Sequence, residues 1–486
     1  MFFAALGRSE AAFAAKLYVT NNGIDSATCG AKDAPCRSIS RAIQNASDGD
    51  KIIVGPGRYG DLNGDVAFDD PGDEAAEGGS GCSCMIKINK PVTIESRDGA
   101  AATVLDASGV AIDVVKILTS GVVFGKKKKG FTLRRGSIGL AIADGTNGIG
   151  VTGNLTTANS ASGFSFAGSG HVFTGNIANA NGFSATSSNG FVFSGSGHVL
   201  IGNVANDNTY HGFLFSGSGH VLTGNQAIAN TYVGFFFSGS GHVLTGNIAN
   251  TNGFEGYIFS GSSHVLTGNI ANANVFAGFR FSGNGHVLTR NVATANSASG
   301  FTSQGSGHVL SGNAAIGNKL SGIVIGDSGG IDSATITKNN IFGNYSQTDF
   351  GFSNCGLFNS SGDSVTAPNN FWGAATGPGA DPADNICHYG AGSSTTVPSF
   401  ATKEFKVKVK VLDEMPTDVV PAPALKVADP SVTRLSVYSL RGQLVAFVSD
   451  STRLAQASQS LPHGVYLAVR TYADGRREMV KVVVTK

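Results

Sequence analysis

From about Val151 to Asn318 one pattern of apolar and polar positions recurs with small edits, GFxFSGSGHVLTGNxANxN. In its Phe-x-Phe part the pairs Phe213/Phe215, Phe235/Phe237, Tyr257/Phe259 and Phe279/Phe281 flank the variable residues Leu214, Phe236, Ile258 and Arg280. A position that admits arginine faces water, so strand alternation turns the aromatic pairs inward. The histidines of the pattern, His171, His198, His220, His242, His264, His286 and His308, are 22 residues apart after one first step of 27. The five extra residues are an insertion around Gly182 to Ser187. A repeat of this length predicts a solenoid in which each coil covers the next.

Each position of the repeat then becomes a column, with rungs about 4.8 Å apart. Within His-Val-Leu-Thr, His and Leu share one face, Val and Thr the other. Ile149 and Val151 replace His and Leu upstream, and Ala334 and Ile336 replace them downstream. The histidine column is therefore read as an inward ladder of stacked neutral rings. The Gly-Asn that ends the segment suits a corner, and Asn181, Asn208, Asn230, Asn252, Asn274, Asn296 and Asn318 repeat as an asparagine ladder that satisfies turn polar groups. Outward lies a regular lane, with Val221, Val243, Val265 and Val287 beside Thr223, Thr245, Thr267 and Thr289. This lane is the predicted binding face.

Ahead of the repeats the chain reads as strand, loop, short helix and strand. Ile39, Ala42, Ile43 and Ala46 make one apolar stripe, suited to a lid over an otherwise open first coil. This order, followed by Gly-Asp-x-Ile-x-Val, Lys-Pro-Val-Thr-Ile-Glu-Ser and Gly-Phe-Thr-Leu, resembles secreted proteins of the pectin-lyase-like superfamily across residues 17–400. The resemblance implies an all-β, right-handed parallel β-helix with an N-terminal capping helix. That superfamily spans lyases, hydrolases, epimerases and proteins without a known reaction. The segment around Trp372 resembles the closing turn of such helices. Residues 403–424 read as a linker with spaced prolines, and 425–486 as short strands resembling the small β-sandwich that serves as a sorting tag in type IX secretion. The secretion machinery is the partner that this second resemblance implies. Residues 1–16 resemble a truncated signal peptide.

Composition narrows the function further. With 68 glycines, 14% charged residues and a net charge of +1, the chain offers no bulk attraction to nucleic acid or to an anionic membrane, and no apolar run is long enough for a membrane span. Cys29 with Cys36 and Cys355 with Cys387 form the expected disulfides of an oxidising compartment, whereas Cys82 and Cys84 are too close for an easy bridge. The acidic insertion from Asp61 to Glu77 reads as a solvated loop, with calcium as its alternative occupant. Lys126 to Lys129 with Arg134 and Arg135 read as a solvated turn, with an acidic glycan as the alternative.

Between Val151 and Leu320 the only acidic residues are Asp207 and Glu255, and the basic ones are Arg280, Arg290 and Lys319. Carbohydrate acid/base chemistry needs paired groups on a rigid face, and none is evident along the repeat. A catalytic site would have to lie at one end, in the acidic loop or among Asp349, Asp363, Asp381, Asp384 and His388. No catalytic residue, cofactor or metal ligand is assigned. The expected protein is a secreted or cell-surface scaffold that binds a glycan or another surface. A polysaccharide lyase or epimerase is the alternative, and an ice-binding lane of Val and Thr a lesser one.

Overall fold

The computed structural model describes residues 14–65, 68, 70–74, 82–182, 188–326, 334–345, 354–380 and 382–407, and beyond them the backbone of four strands. The chain is an all-β parallel β-solenoid. It opens with β1 (Lys16–Val19), α1 (Ile39–Asn45), β2 (Lys51–Val54), β3 (Gly57–Gly60), β4 (Cys84–Ile88), β5 (Thr93–Ser96), β6 (Thr103–Asp106), β7 (Asp113–Ile117), β8 (Val123–Phe124) and β9 (Thr132–Arg134). Each coil then contributes one short strand to each of three parallel sheets, of 15, 12 and 13 strands among the described residues. We call these sheets A, B and C in the order in which a coil visits them. Val243–Thr245, Ile248–Asn250 and Tyr257–Ser260 are one such set.

The pairing register carries every column straight up the stack. Phe213, Phe235, Tyr257, Phe279 and Phe301 are aligned residue for residue, as are Leu200, Leu222, Leu244, Leu266 and Leu288. Both members of each aromatic pair are buried, and Phe235 lies 4.7 Å from Phe213 and 4.9 Å from Tyr257 with nearly parallel rings. One-coil translation places identical rings at rung spacing, which sits within the preferred range for stacked aromatics.

Two asparagine ladders run through the corners. Asn181 to Asn318 form one of them, which also takes in Asn159 and Asn344, and the Asn of each Thr-Gly-Asn forms the other. Asn225 shows the unit: its side-chain amide donates to Leu200 O at 3.0 Å and to Asn247 Oδ1 at 2.9 Å, and the same oxygen accepts the Asn225 backbone N–H. Corner groups that the sheets leave unpaired are thus satisfied without water. The residue before each Thr-Gly-Asn asparagine is left-handed, with φ of 64° at Gly224, 63° at Gly246 and 64° at Gly268. Arg290 occupies that position in its own coil at φ 57°. A left-handed residue bearing a Cβ is strained, so Arg290→Gly is expected to stabilise the chain by about 1 kcal/mol, read as a raised urea midpoint. An unchanged or lowered midpoint would contradict this.

Helix α1 closes the first coil, with Ile39, Ala42, Ile43 and Ala46 buried. Ser38 Oγ accepts from Arg41 N at 3.1 Å as its N-cap. The acidic insertion departs from the expected solvated loop. Asp61, Asp73 and Glu74 are buried, because carboxylates there complete backbone hydrogen bonding that the lid leaves open. Glu74 accepts from Ile39 N at 2.6 Å, Ser40 N at 2.9 Å and Ser40 Oγ at 2.7 Å, while Asp73 accepts from Leu62 N at 2.8 Å and Asp61 from Gly64 N at 2.7 Å. Burial pushes the Glu74 carboxyl up to about 7 against the pull of those donors. The calcium alternative for this loop finds Asp61, Asp73 and Glu74 already engaged with backbone amides. Glu77 and Asp69 lie outside the described residues.

All six cysteines are paired, as Cys29–Cys36, Cys82–Cys84 and Cys355–Cys387. The Cys82–Cys84 bridge corrects the expectation from spacing: the chain bends tightly at Cys-Ser-Cys just before β4 and brings the two Cα atoms to 5.2 Å, within disulfide range. Trp372 is fully buried beneath the last coils. In the C-terminal region four strands form one antiparallel sheet, in the spatial order Leu444–Val448, Val432–Ser439, Gly464–Tyr472, Arg477–Val484. The residues read as a truncated signal peptide, up to Phe13, and most of those read as a linker, 408–424, lie outside the described residues.

Candidate functional site

Sheet A displays the Val/Thr lane. Val221, Val243, Val265 and Val287 are 37–40% exposed, Thr245 is exposed, and Thr223, Thr267 and Thr289 are half-buried. Their inward neighbours His220, His242, His264 and His286 are fully buried, as are His171 and His198, and His308 is nearly so. Successive imidazoles stack at 4.9–5.1 Å. His171 Nδ1 accepts from Ile149 N at 3.2 Å, and from His198 on each Nδ1 accepts the backbone N–H of the preceding coil's histidine, at 3.3 Å from His220 N to His242 Nδ1 and 3.4 Å from His264 N to His286 Nδ1. A nitrogen that accepts an amide carries no proton, so the tautomer is Nε2–H. That proton is donated to Ala167 O by His171 and to Ser194 O by His198. Burial holds His198, His242 and His286 down at about 4 and His220 and His264 at about 3. The column is a neutral structural ladder at neutral pH.

A second column, at the corner between sheets B and C, carries the more specific surface. Tyr210, Tyr232, Phe254 and Phe276 each follow a ladder asparagine by two residues, and they stack on the outside of four consecutive coils at 4.8, 4.4 and 4.1 Å. Phe276 is 42% exposed and Val275 beside it 52%, while the other three rings are half-buried. Two coils before Tyr210 and in the coils beyond Phe276 this position holds Ala161, Ala298 and Leu320, and Phe183, at the same position in the coil just before Tyr210, lies outside the described residues.

Beneath these rings, at the next position of the repeat, lie His211 and Glu255. Both are buried, and both have an unpartnered polar atom, His211 Nδ1 and Glu255 Oε2. His211 packs edge-on against Tyr210 at 4.2 Å and against Tyr232 at 5.0 Å, and tilts over Phe236 at 5.2 Å. Burial lowers its pKa to about 4, so the ring is neutral and its free nitrogen is an acceptor. Burial raises the Glu255 carboxyl, opposed by its own backbone amide and by Arg280. Arg280 Nη1 lies 3.7 Å from Glu255 Oε1, and its side chain is 44% exposed. This corrects the expectation that no adjacent-coil cluster exists in the repeat. The corner turns Glu255 toward the outward position of the following sheet C strand, where Arg280 stands. A row of outward aromatic rings with the partly exposed Arg280 beside it suits a ligand that is apolar on its faces and hydroxylated at its edges.

The ends of the solenoid supply less. Asp384 is buried and ends an asparagine ladder, accepting from Asn344 Nδ2 at 2.7 Å, so its carboxylate has a structural role. His388 closes a sheet C strand four residues on, and Asp363 lies in a turn in which its backbone carbonyl accepts from Asn359. Asp349 and Asp381 lie outside the described residues. The structure therefore assembles no acid/base set from this group among the described residues.

Parts of the chain are similar to known proteins. Residues 119–276 match the family model described as periplasmic copper-binding protein (NosD). No curated protein matches the chain. Among solved structures, pectate lyase Pel9A aligns at 18% identity and a TM-score of 0.36, over 80% of this chain and 78% of that one. The mannuronan C-5 epimerase AlgE6 A-module of Azotobacter vinelandii aligns at 16% identity and 0.41, over 74% and 92%. The catalytic unit of the GH87 alpha-1,3-glucanase from Streptomyces thermodiastaticus strain HF3-3 aligns at 11% and 0.45, over 75% and 67%.

The ladder histidines do not fit copper. Within the matched segment the five ladder histidines already use Nδ1 as an acceptor for an amide and are sealed from solvent. Among the described residues, the one close trio of potential ligands is Asp25, Cys29 and Cys36, whose sulfurs are joined in a disulfide. No helix among the described residues is long and apolar enough to cross a membrane.

Proposed function

We propose that the chain is a secreted or surface-held binding scaffold that engages a glycan along its aromatic corner. The observation that carries this reading is the stack Tyr210–Tyr232–Phe254–Phe276 along the outside of four consecutive coils. An exposed apolar strip of this kind is retained where something covers it. Four coils at about 4.8 Å give a platform roughly 14 Å long, enough for two to three pyranose rings. The Val/Thr lane on sheet A is the flatter and less specific face, and it lacks convergent polar groups.

The test is a glycan array with the full chain, followed by titration of the best ligand against Tyr232→Ala. Loss of about tenfold in affinity, roughly 1.4 kcal/mol, is expected with little change in melting temperature, because the ring lies outside the core. Wild-type affinity in Tyr232→Ala, or an array with no bound glycan, would refute the reading. A lyase or epimerase at the same corner is the second reading, favoured by the perturbed His211 and Glu255. Appearance of unsaturated products from uronate polymers would establish it in place of simple binding.

A further inference from the structure

We infer that the N-terminal coils carry a separate site for sulfate esters on a polysaccharide, built by Arg58, Arg134 and Arg135 around the buried carboxylate of Asp106. Register places Gly60, Asp106 and Arg134 at the same level of β3, β6 and β9 on sheet B, so three consecutive coils converge on one point. Arg134 Nε donates to Asp106 Oδ2 at 2.9 Å, Arg135 Nε to Oδ1 at 2.7 Å and Nη2 to Oδ2 at 2.6 Å, and Arg58 Nε to Oδ2 at 3.3 Å. Arg58 Nη2 also donates to Ser108 Oγ at 2.8 Å. Asp106 itself is fully buried, while the three arginine side chains are 37, 40 and 46% exposed. This corrects the reading of Arg134 and Arg135 as a solvated turn: the carboxylate beneath them sets their positions.

One negative charge holds three positive ones, so the cluster presents an excess of two. A buried carboxylate that holds three arginines is a preorganising device, since the guanidinium forks lose little freedom when a ligand arrives. Both carboxylate oxygens are saturated from within. The guanidinium N–H groups left over belong to three partly exposed side chains, Arg58 on one coil and Arg134 with Arg135 two coils on. Donors converging from several directions match the three outer oxygens of a sulfate ester better than the two in-plane oxygens of a carboxylate. The site lies on the N-terminal coils, apart from the aromatic corner, and does not depend on that corner's function. In the turn Lys126–Lys129, Lys129 Nζ lies 3.4 Å from Glu95 Oε1, which Lys51 Nζ also reaches at 2.9 Å, so a single lysine of that turn is held by a carboxylate shared with one other cation.

The experiment titrates the full chain with dextran sulfate, polygalacturonate and neutral dextran at about 0.15 M salt, where diffuse attraction is screened. Dextran sulfate is expected to bind at least about fivefold more tightly than polygalacturonate, and dextran not at all. Arg58→Gln, which leaves Asp106 with two partners, is expected to weaken dextran sulfate about fivefold, and Arg58→Lys, which keeps the charge but not the fork, to weaken it nearly as much. Should Arg58→Gln fail to fold, Arg58→Lys alone decides. Lys126→Gln with Lys128→Gln is expected to bind as wild type. Equal binding of the two acidic polymers, wild-type affinity in the foldable Arg58 variant, or an equal loss in the lysine variant would each overturn the proposal.

Discussion

Between about pH 7.5 and pH 5 the repeat region is expected to lose on the order of 10 kcal/mol of stability, the largest effect the structure implies. The sign follows from the histidine ladder. His198, His220, His242, His264 and His286 are held at about 3 to 4 when folded and titrate near 6.5 when unfolded, so the unfolded chain binds more protons throughout that window. The stabilisation is complete above the unfolded value and is lost as pH falls below it, by roughly 2 kcal/mol per histidine at pH 5. Geometry points the same way: a second ring proton would face the amide N–H that Nδ1 now accepts, with another imidazole about one rung away. Thermal melts at the two pH values measure the effect, and superimposable curves would exclude a buried ladder. His242→Asn retains an acceptor but does not titrate, so it should remove about 2 kcal/mol of the pH dependence.

Phe235→Ala is expected to destabilise the repeat by about 3 to 5 kcal/mol. Phe235 is fully buried and stacked on both sides, by Phe213 at 4.7 Å and Tyr257 at 4.9 Å. Register-locked strands leave the neighbouring rings little room to close the gap, so the cavity penalty adds to the lost burial. Stability in a solenoid is shared mainly between adjacent repeats, and hydrogen exchange should rise most in the coils containing Phe213 and Tyr257. Phe236→Ala, one residue away on the outward side, is the control and should change stability by much less. Equal losses in the two variants would reject the assigned orientation.

Much of this architecture is legible in the chain because the repeat is a translation. When residue i and residue i+22 share an environment, alternation within one coil is tested by every other coil, and one arginine among outward residues orients the whole column. The aromatic corner carried a signal of the same kind, an aromatic two residues after the ladder asparagine in five consecutive coils, from Phe183 to Phe276. It is hard to see because the surrounding residues vary: Thr-Tyr-His, Thr-Tyr-Val, Gly-Phe-Glu and Val-Phe-Ala. Glu255 and Arg280 are 25 positions apart, which places them on neighbouring coils but at different points of the turn, and only the corner's direction decides that they meet.

The N-terminal coils had no period to read. Arg58 and Asp106 are separated by 48 residues and Asp106 and Arg134 by 28, with the acidic insertion between the first two, so spacing alone could not bring them to one level. The same insertion looked solvated by composition, yet Glu74 and Asp73 turn inward because the capping helix and its loop present amides that water cannot reach.

By itself the sequence determined the coil length, the inward aromatic and histidine columns and the asparagine corners, since in a stack of identical rungs burial at one level dictates burial at the next. Tertiary structure decided which surface residues act together. Coil offsets, corner directions and the unequal lengths of the first coils bring distant charges and rings within contact, and those distances arise only when the chain is wound.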